Sequence, residues 1–455
     1  LNKHYHFIGI GGIGMSGIAQ LLLSRGMTVS GSDAKESAIT RELSKSGAKV
    51  FIGHAAGNIA GAEVVVYSSA IKENNPEFKE AKKLRIPVIK RAQALAALMQ
   101  DEEVITVTGS HGKTTTASLV SCLLLEAGLK PTLAVGGILK NINTNACLGE
   151  GRFFVAEADE SDGSFLYYRP KYSIITNVDY EHMDYYNDFQ NVVLAFKEFL
   201  RKTRPGGCVF VCNDDAVLKD IIKDYKKEYL LFGLQEGSHI YPRNIEIKGL
   251  SSEFDCFYNG KMVDRFQLSL GGLHNISNSL AVIALGLKLG IDLGCIKNTL
   301  SGYKGAKRRL ETRFKNEKYL LIDDYAHHPT EIKATLAAIG NLKFSRLIVV
   351  FQPHRYSRTK LLLEEFIKSF DLADYLIVTE IYPASELPIE GINSEFLCEK
   401  IKTYNPKKKV VFMPKAQVKA HLLDSIRPGD LVLTLGAGDI IKICDEMVEA
   451  LKGQG

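Results

Sequence analysis

The sequence has no apolar run near the roughly 20 residues needed to cross a bilayer,. Its first apolar stretch, at residues 6–10, is broken by glycines. No basic leader, hydrophobic segment and cleavage site follow one another, so a secretory signal is not expected,. The eight cysteines, at 122, 147, 208, 212, 256, 295, 398 and 444, contain no C-x-x-C pair. That spacing excludes the common zinc motifs, and a chain of 455 residues needs no disulfide scaffold,. Reduced thiols and a cytoplasmic location are expected. Charge of one sign is also scarce: 57 basic against 52 acidic residues leave a formal net charge of +5. That is too mild to argue for nucleic acid. The basic run at 407–409 reads as a solvated loop. Short-period repeats and low-complexity tracts are absent, and no membrane partner is implied.

What is present is a rhythm of short strands and helical stretches. The length suggests about three domains. Residues 1–100 alternate strands such as "HYHFIGI", "MTVSGSD" and "EVVVYSSA" with helical patterns near 14–25, 36–46 and 75–84. Residues 101–312 repeat the rhythm, then break it at "FDCFYNGKMVDRFQLSL", two strands joined at Asn259-Gly260, a strong hairpin signal,. A helical segment at 275–289 and a basic, irregular linker at 302–313 follow. Residues 313–455 start the alternation again. The expected fold class is α/β in three domains. A Rossmann-like parallel sheet comes first, then a central P-loop ATPase-type domain with an added β-hairpin region. A C-terminal Rossmann-like domain completes the chain. Ligands of such sheets bind at the C-terminal ends of the strands.

Two phosphate loops stand out. The first is Gly9-x-Gly11-x-x-Gly14, between a strand and a helix, with Asp33 roughly twenty residues on,. This is the dinucleotide fingerprint, and alone it allows an NAD-dependent oxidoreductase. The second is "VTGSHGKTTT", Gly109 to Thr116, at another strand–helix junction. Glycine backbone N–H groups and a helix N-terminus hold phosphate, Lys113 can reach the β and γ phosphates, and Thr114 can hold Mg²⁺. Val107 stands near the place of the first Walker glycine. Glu157, Asp159, Glu160 and Asp162 end a following strand, where second metal ligands are expected. Asn177, Asp179, His182 and Asp184 follow the next strand, and His182 is a candidate metal ligand,.

Together these stretches resemble the muramyl (Mur) ligases, the ATP-dependent amide-forming enzymes of peptidoglycan synthesis. The family loop G-T-x-G-K-T-T stands here as Gly109-Ser110-His111-Gly112-Lys113-Thr114-Thr115, with Ser110 keeping the hydroxyl. His111, "GIGGIGMSGIA", "LGGLHNISNSLAV", "KRRLETRF", "DDYAHHPTEI" and "FQPHRYSRT" point to the branch that uses UDP-N-acetylmuramate. The resemblance implies that the first domain holds a UDP-sugar and not NAD. Gly11, Gly12, Ile13 and Gly14 would face the pyrophosphate; Asp33, His54, Ser68 and Ser69 would line nucleotide and sugar. The central domain would hold ATP, with Lys113, Glu157 and His182 catalytic. Two Mg²⁺ ions are implied, one on Thr114 and Glu157 and the other on His182.

His274, Asn275 and Asn278 would reach adenosine, and Arg309 and Asp324 the phosphates and ribose. The C-terminal domain would hold L-alanine through Tyr325, His354, Arg355 and Arg358, since an Arg fork fits a carboxylate. A histidine, His327 or the catalytic candidate His328, would help remove the amine proton. Other members of the family carry a carbamylated lysine at about the place of Lys197, whereas the alanine-adding branch is described without it. A helix lysine in water is the expectation there. The alternatives are a murein-tripeptide recycling ligase on the same UDP-sugar, the oxidoreductase, and a nucleotide-binding regulator without chemistry.

Overall fold

A computed structural model describes residues 2–68, 71–384 and 386–453. The chain divides into two compact units. One comprises 1–245, 254–268 and 275–304; the other comprises 246–253, 269–274 and 305–455. The second unit thus takes in two short turns of chain adjoining the predicted hairpin.

The first unit carries two sheets. Five parallel strands run in the order Lys49–Ile52, Thr28–Asp33, His4–Ile8, Val64–Tyr67, Val88–Lys90. The chain starts in the middle, goes outward one way, then the other. That is the doubly wound order that opens a crevice at the strand C-ends. The helices Ile13–Ser24, Ala38–Lys45 and Pro76–Lys83 match the expected patterns. The helix Arg91–Leu98 does not. Its sequence, "RAQALAAL", is apolar almost all round and shows no clear stripe, so periodicity gave no sign of it,.

The second sheet of this unit has ten strands. At its centre Glu103–Thr108 pairs in parallel with Phe153–Glu157 on one side and Tyr172–Ile175 on the other. This pairing sets three loops side by side at their C-ends. Beneath them Phe165 stacks on Phe199 at 4.8 Å and meets Phe196 edge-on. The expected hairpin is present as Ser251–Tyr258 and Lys261–Leu268. Asn259 and Gly260 both have positive φ, the conformation a two-residue turn of this kind requires,.

The second unit is built on six strands in the order Glu311–Lys315, Tyr319–Asp324, Asp430–Leu435, Arg346–Phe351, Tyr375–Val378, Lys409–Phe412. The first pair is antiparallel and the rest parallel. Along Arg346–Phe351 the side chains alternate between two cores. Leu347, Val349 and Phe351 join one, Ile348 and Val350 the other. Both faces are therefore covered, each buried aliphatic contributing about 1.5–3 kcal/mol.

Two expectations are corrected here. The end of the supposed linker, from Glu311, is a strand. Lys408 is no solvated loop residue, because its ammonium donates to the carbonyls of Phe370, Asp371 and Ala373. Among the described residues no helix is long and apolar enough to cross a membrane.

Candidate functional site

The P-loop turns on two glycines. Gly109 has φ +125°, and a Cβ there would collide with Thr176 and the backbone of Asn177; Gly112 has φ +83° and sits 2.8 Å, as a virtual Cβ, from Asn278 Oδ1. The loop is braced to the end of the neighbouring strand. Ser110 N–H donates to Asn177 O, His111 N–H to Asn177 Oδ1 at 2.8 Å, and Asp179 N–H to Ser110 Oγ at 2.8 Å. His111 Nε2 lies 2.9 Å from Asp179 Oδ2. Asn177 and Asp179 thus shape the loop from outside it. The variable position His111 is one of its anchors.

Lys113 opens the helix Lys113–Glu126 and curls back over the loop. Its ammonium donates to Gly109 O at 2.6 Å and to Glu160 Oε1 at 2.8 Å. Burial alone would lower its pKa; the carboxylates of Glu160 and Asp159 overcome this and hold it above the ordinary lysine value. The lysine is a fixed cation. Glu160 was grouped with its acidic neighbours in the sequence but given no role; its position opposite Lys113 appears only in three dimensions. It is 1% exposed, and its Oε2 is buried without a hydrogen-bond partner among the described residues.

Thr114 Oγ1 donates to Glu157 Oε2 at 3.2 Å, and Glu157 Oε1 accepts Gly136 N–H at 2.6 Å. His182 caps the next turn with φ +61° and lies 3.5 Å from Glu160 Oε1. The structure therefore brings Thr114, Glu157, Glu160 and His182 to one end of one sheet. A hydroxyl, two carboxylates and an imidazole, with one carboxylate oxygen unsatisfied, are a fitting donor set for a hard divalent cation. Thr115 follows, half-buried, in the same helix. Asn275 and Asn278 are both buried on Leu273–Lys288, and Asn278 meets Gly112. His274 is pushed down to about 4, chiefly by burial, and is a neutral imidazole at physiological pH. Lys197 lies half-buried on the helix Phe189–Arg201.

The first loop is organised by Asp33. Gly11 N–H donates to Asp33 Oδ2 at 2.9 Å, and a Cβ at Gly11 would lie 2.8 Å from that oxygen. Gly12 precedes the helix that Ile13 and Gly14 begin, and makes no side-chain cap hydrogen bond there. His54 Nδ1 is 2.9 Å from Ser32 Oγ, and Ser68 O accepts Ile71 N–H. Ser69 lies outside the described residues. Behind this loop is a polar core the sequence did not announce. Glu77, 0% exposed, accepts from Ser32 Oγ at 2.5 Å and Asn58 Nδ2 at 2.6 Å, and lies 3.5 Å from His6 and 3.6 Å from His54.

In the second unit, Tyr325 and the two histidines follow Tyr319–Asp324, and His354 to Arg358 follow Arg346–Phe351. These two strands are not neighbours, since Asp430–Leu435 lies between them. Their loops meet nonetheless. His327 packs edge-on to His354 at 5.4 Å, and His354 stacks on Tyr382 at 5.5 Å. Arg358 Nη1 is 3.1 Å from His354 Nδ1, and burial followed by Arg358 and Arg355 pushes His354 down to about 3. Arg355, with φ +72°, lies 3.9 Å from Glu386, which Ser357 also holds.

Of the two histidines, His328 is 3% exposed and its Nδ1 accepts Thr330 N–H at the start of Pro329–Ile339. His327 faces the arginine cluster. Its Nδ1 lies 3.1 Å from Tyr325 O, which can only accept, so Nδ1 carries the proton and Nε2 is basic,. Burial holds it well below the usual histidine range. Asp324 is satisfied inside its own unit by the N–H groups of Leu310 and Ala326, and burial raises it to about 6. Arg309 lies 5.3 Å over the Tyr325 ring and 3.9 Å from Glu331.

Three family models match in sequence order. They are the Mur ligase family catalytic domain at residues 4–103, the Mur ligase middle domain at 107–286, and the Mur ligase glutamate ligase domain at 308–438. A UDP-N-acetylmuramate–L-alanine ligase of Geotalea uraniireducens is 45% identical over 98% of this chain and 98% of its own. One of Desulfatibacillum aliphaticivorans is 47% identical over 96% of each. The crystal structure of the UDP-N-acetylmuramate–alanine ligase of Thermotoga maritima superposes with a TM-score of 0.86 at 30% identity, over 99% of this chain and 100% of that one. With its three domains matched along nearly the whole length, the chain belongs to the Mur ligase family.

Proposed function

We propose that this protein joins L-alanine to the lactyl carboxylate of UDP-N-acetylmuramate at the expense of ATP, by way of an acyl phosphate. The observation that carries the reading is the pair of half-buried Lys113 with buried Glu160 beside Thr114 and Glu157, at the ends of three adjacent strands. Full-length relatives with that printed activity support it. The sugar carboxylate attacks the γ-phosphorus and ADP leaves. The alanine amine then attacks the acyl carbonyl, phosphate leaves, and the amine gives up a proton. Both attacks bring anion toward anion, or build charge on oxygen, so the protein supplies cations and position.

Lys113 fits the first need, since its proton is held across the physiological range. Thr114, Glu157 and His182 would hold magnesium, with Glu160 beside them; the bound ion would neutralise phosphate charge. Residues 1–100 would hold the UDP-sugar through the Gly11–Gly14 turn, with Asp33 fixing that turn. Residues 101–312 would hold ATP, and residues 313–455 alanine. Arg358 would pair with the alanine carboxylate, and His327 Nε2 would receive the amine proton.

The test is ADP release measured with UDP-N-acetylmuramate and a panel of L-alanine, other amino acids and murein tripeptide. Release that depends on both the UDP-sugar and L-alanine is expected. Release driven by tripeptide alone would move the assignment to the recycling ligase. Binding of NAD with no such release would revive the oxidoreductase.

A further inference from the structure

The unpredicted helix Arg91–Leu98 begins with an arginine that stands between the first phosphate loop and the acidic loop after Phe153–Glu157. On one side Arg91 Nη2 lies 3.3 Å from Asp159 Oδ2, just past the strand that carries Glu157. On the other it lies against the first turn of Ile13–Ser24. A Cβ at Gly14 would be 2.5 Å from Arg91 Nη1 and 3.3 Å from its Cζ. The third glycine of the fingerprint is therefore what leaves room for the guanidinium. The pair with Asp159 is a single contact between groups 30% and 38% exposed. Such a pair holds weakly and exchanges readily. Asp159 has other partners: its Oδ1 accepts Ser161 N–H at 3.1 Å, and Lys113 lies within its field.

We propose that Arg91 binds the pyrophosphate of the nucleotide-sugar, and that Asp159 holds its guanidinium ready until the ligand arrives. The inference rests on the function proposed above. A planar fork beside a glycine turn and a helix N-terminus matches the charge and geometry of a diphosphate. When Arg91 turns to the pyrophosphate, Asp159 keeps Lys113 as a nearby cation.

Calorimetry with UDP-N-acetylmuramate in the absence of ATP tests this, with a non-hydrolysable ATP analogue titrated separately. If the wild-type protein does not bind the UDP-sugar, the functional reading fails before Arg91 is at issue. Arg91→Ala is expected to weaken UDP-N-acetylmuramate by roughly tenfold or more, as loss of a charge-assisted contact implies. It should leave the ATP analogue within about twofold, and Arg91→Lys should fall between. Asp159→Asn, which frees the arginine, should bind the UDP-sugar as well as wild type or better. Arg91→Ala with unchanged UDP-sugar affinity would overturn the inference. So would Asp159→Asn losing as much as Arg91→Ala, because the pair would then be only a brace.

Discussion

Glu77 offers a quantitative test of how the first domain is held together. Its carboxylate is fully buried, yet it is ionised. Burial acts to raise its pKa, and the nearby His6 imidazole together with hydrogen bonds from Ser32 and Asn58 outweighs that and brings it down from 4.5 to about 2. Replacing it by Gln keeps the shape and removes the charge. A folded-state pKa below the unfolded one means stability that is present above pH 4.5 and lost as pH falls through 2. The difference corresponds to about 3 kcal/mol at pH 7, from about 1.4 kcal/mol per unit. By the same linkage it shrinks to about 2 kcal/mol at pH 3.5 and continues downward. Urea unfolding of wild type and Glu77→Gln, in parallel from pH 7 to pH 3.5, measures it. The variant should be less stable at neutrality, and the two curves should converge on acidification. A gap that stays constant with pH would show that folding leaves the carboxyl's pKa unshifted, and a wild-type stability that grows relative to the variant on acidification would show that it is raised; either result would refute the reasoning.

Three further outcomes are expected. Lys113→Ala should abolish ligation while UDP-N-acetylmuramate still binds, because the two phosphate loops are built on separate sheets; calorimetry and ADP release together check it. Glu157→Gln and His182→Ala should each raise the Mg²⁺ concentration that gives half-maximal activity; an unchanged magnesium curve in both returns them to structural roles. Arg358→Ala should raise the KM for L-alanine about thirtyfold or more, from a loss of roughly 2–5 kcal/mol for stranding a buried carboxylate. KM for ATP should stay near wild type, and Arg358→Lys should rescue only in part.

The local chemistry of this protein is written in its sequence. Glycines at 109 and 112 are needed because the loop takes positive φ and packs against Thr176 and Asn278, and such positions leave a spacing that can be read. Strands buried on both faces read as apolar runs, so all three sheets were expected. The acids at the end of "FFVAEADESD" could be placed at a strand end, and Asn259-Gly260 at a turn. Sequence could not choose among those acids. Lys113 takes Glu160 and Thr114 takes Glu157 because of how the chain turns after the strand, and that is set by packing. Nor could it foresee the strand order that inserts Asp430–Leu435 between the two loops of the second unit, since pairing across a sheet is non-local. Arg91 and Glu77 were silent for a related reason. One opens a helix without a polar face, and the other lies on a helix that looks solvated. Only the tertiary fold gives the first two loops to touch and the second a buried cluster of histidine, serine and asparagine to serve.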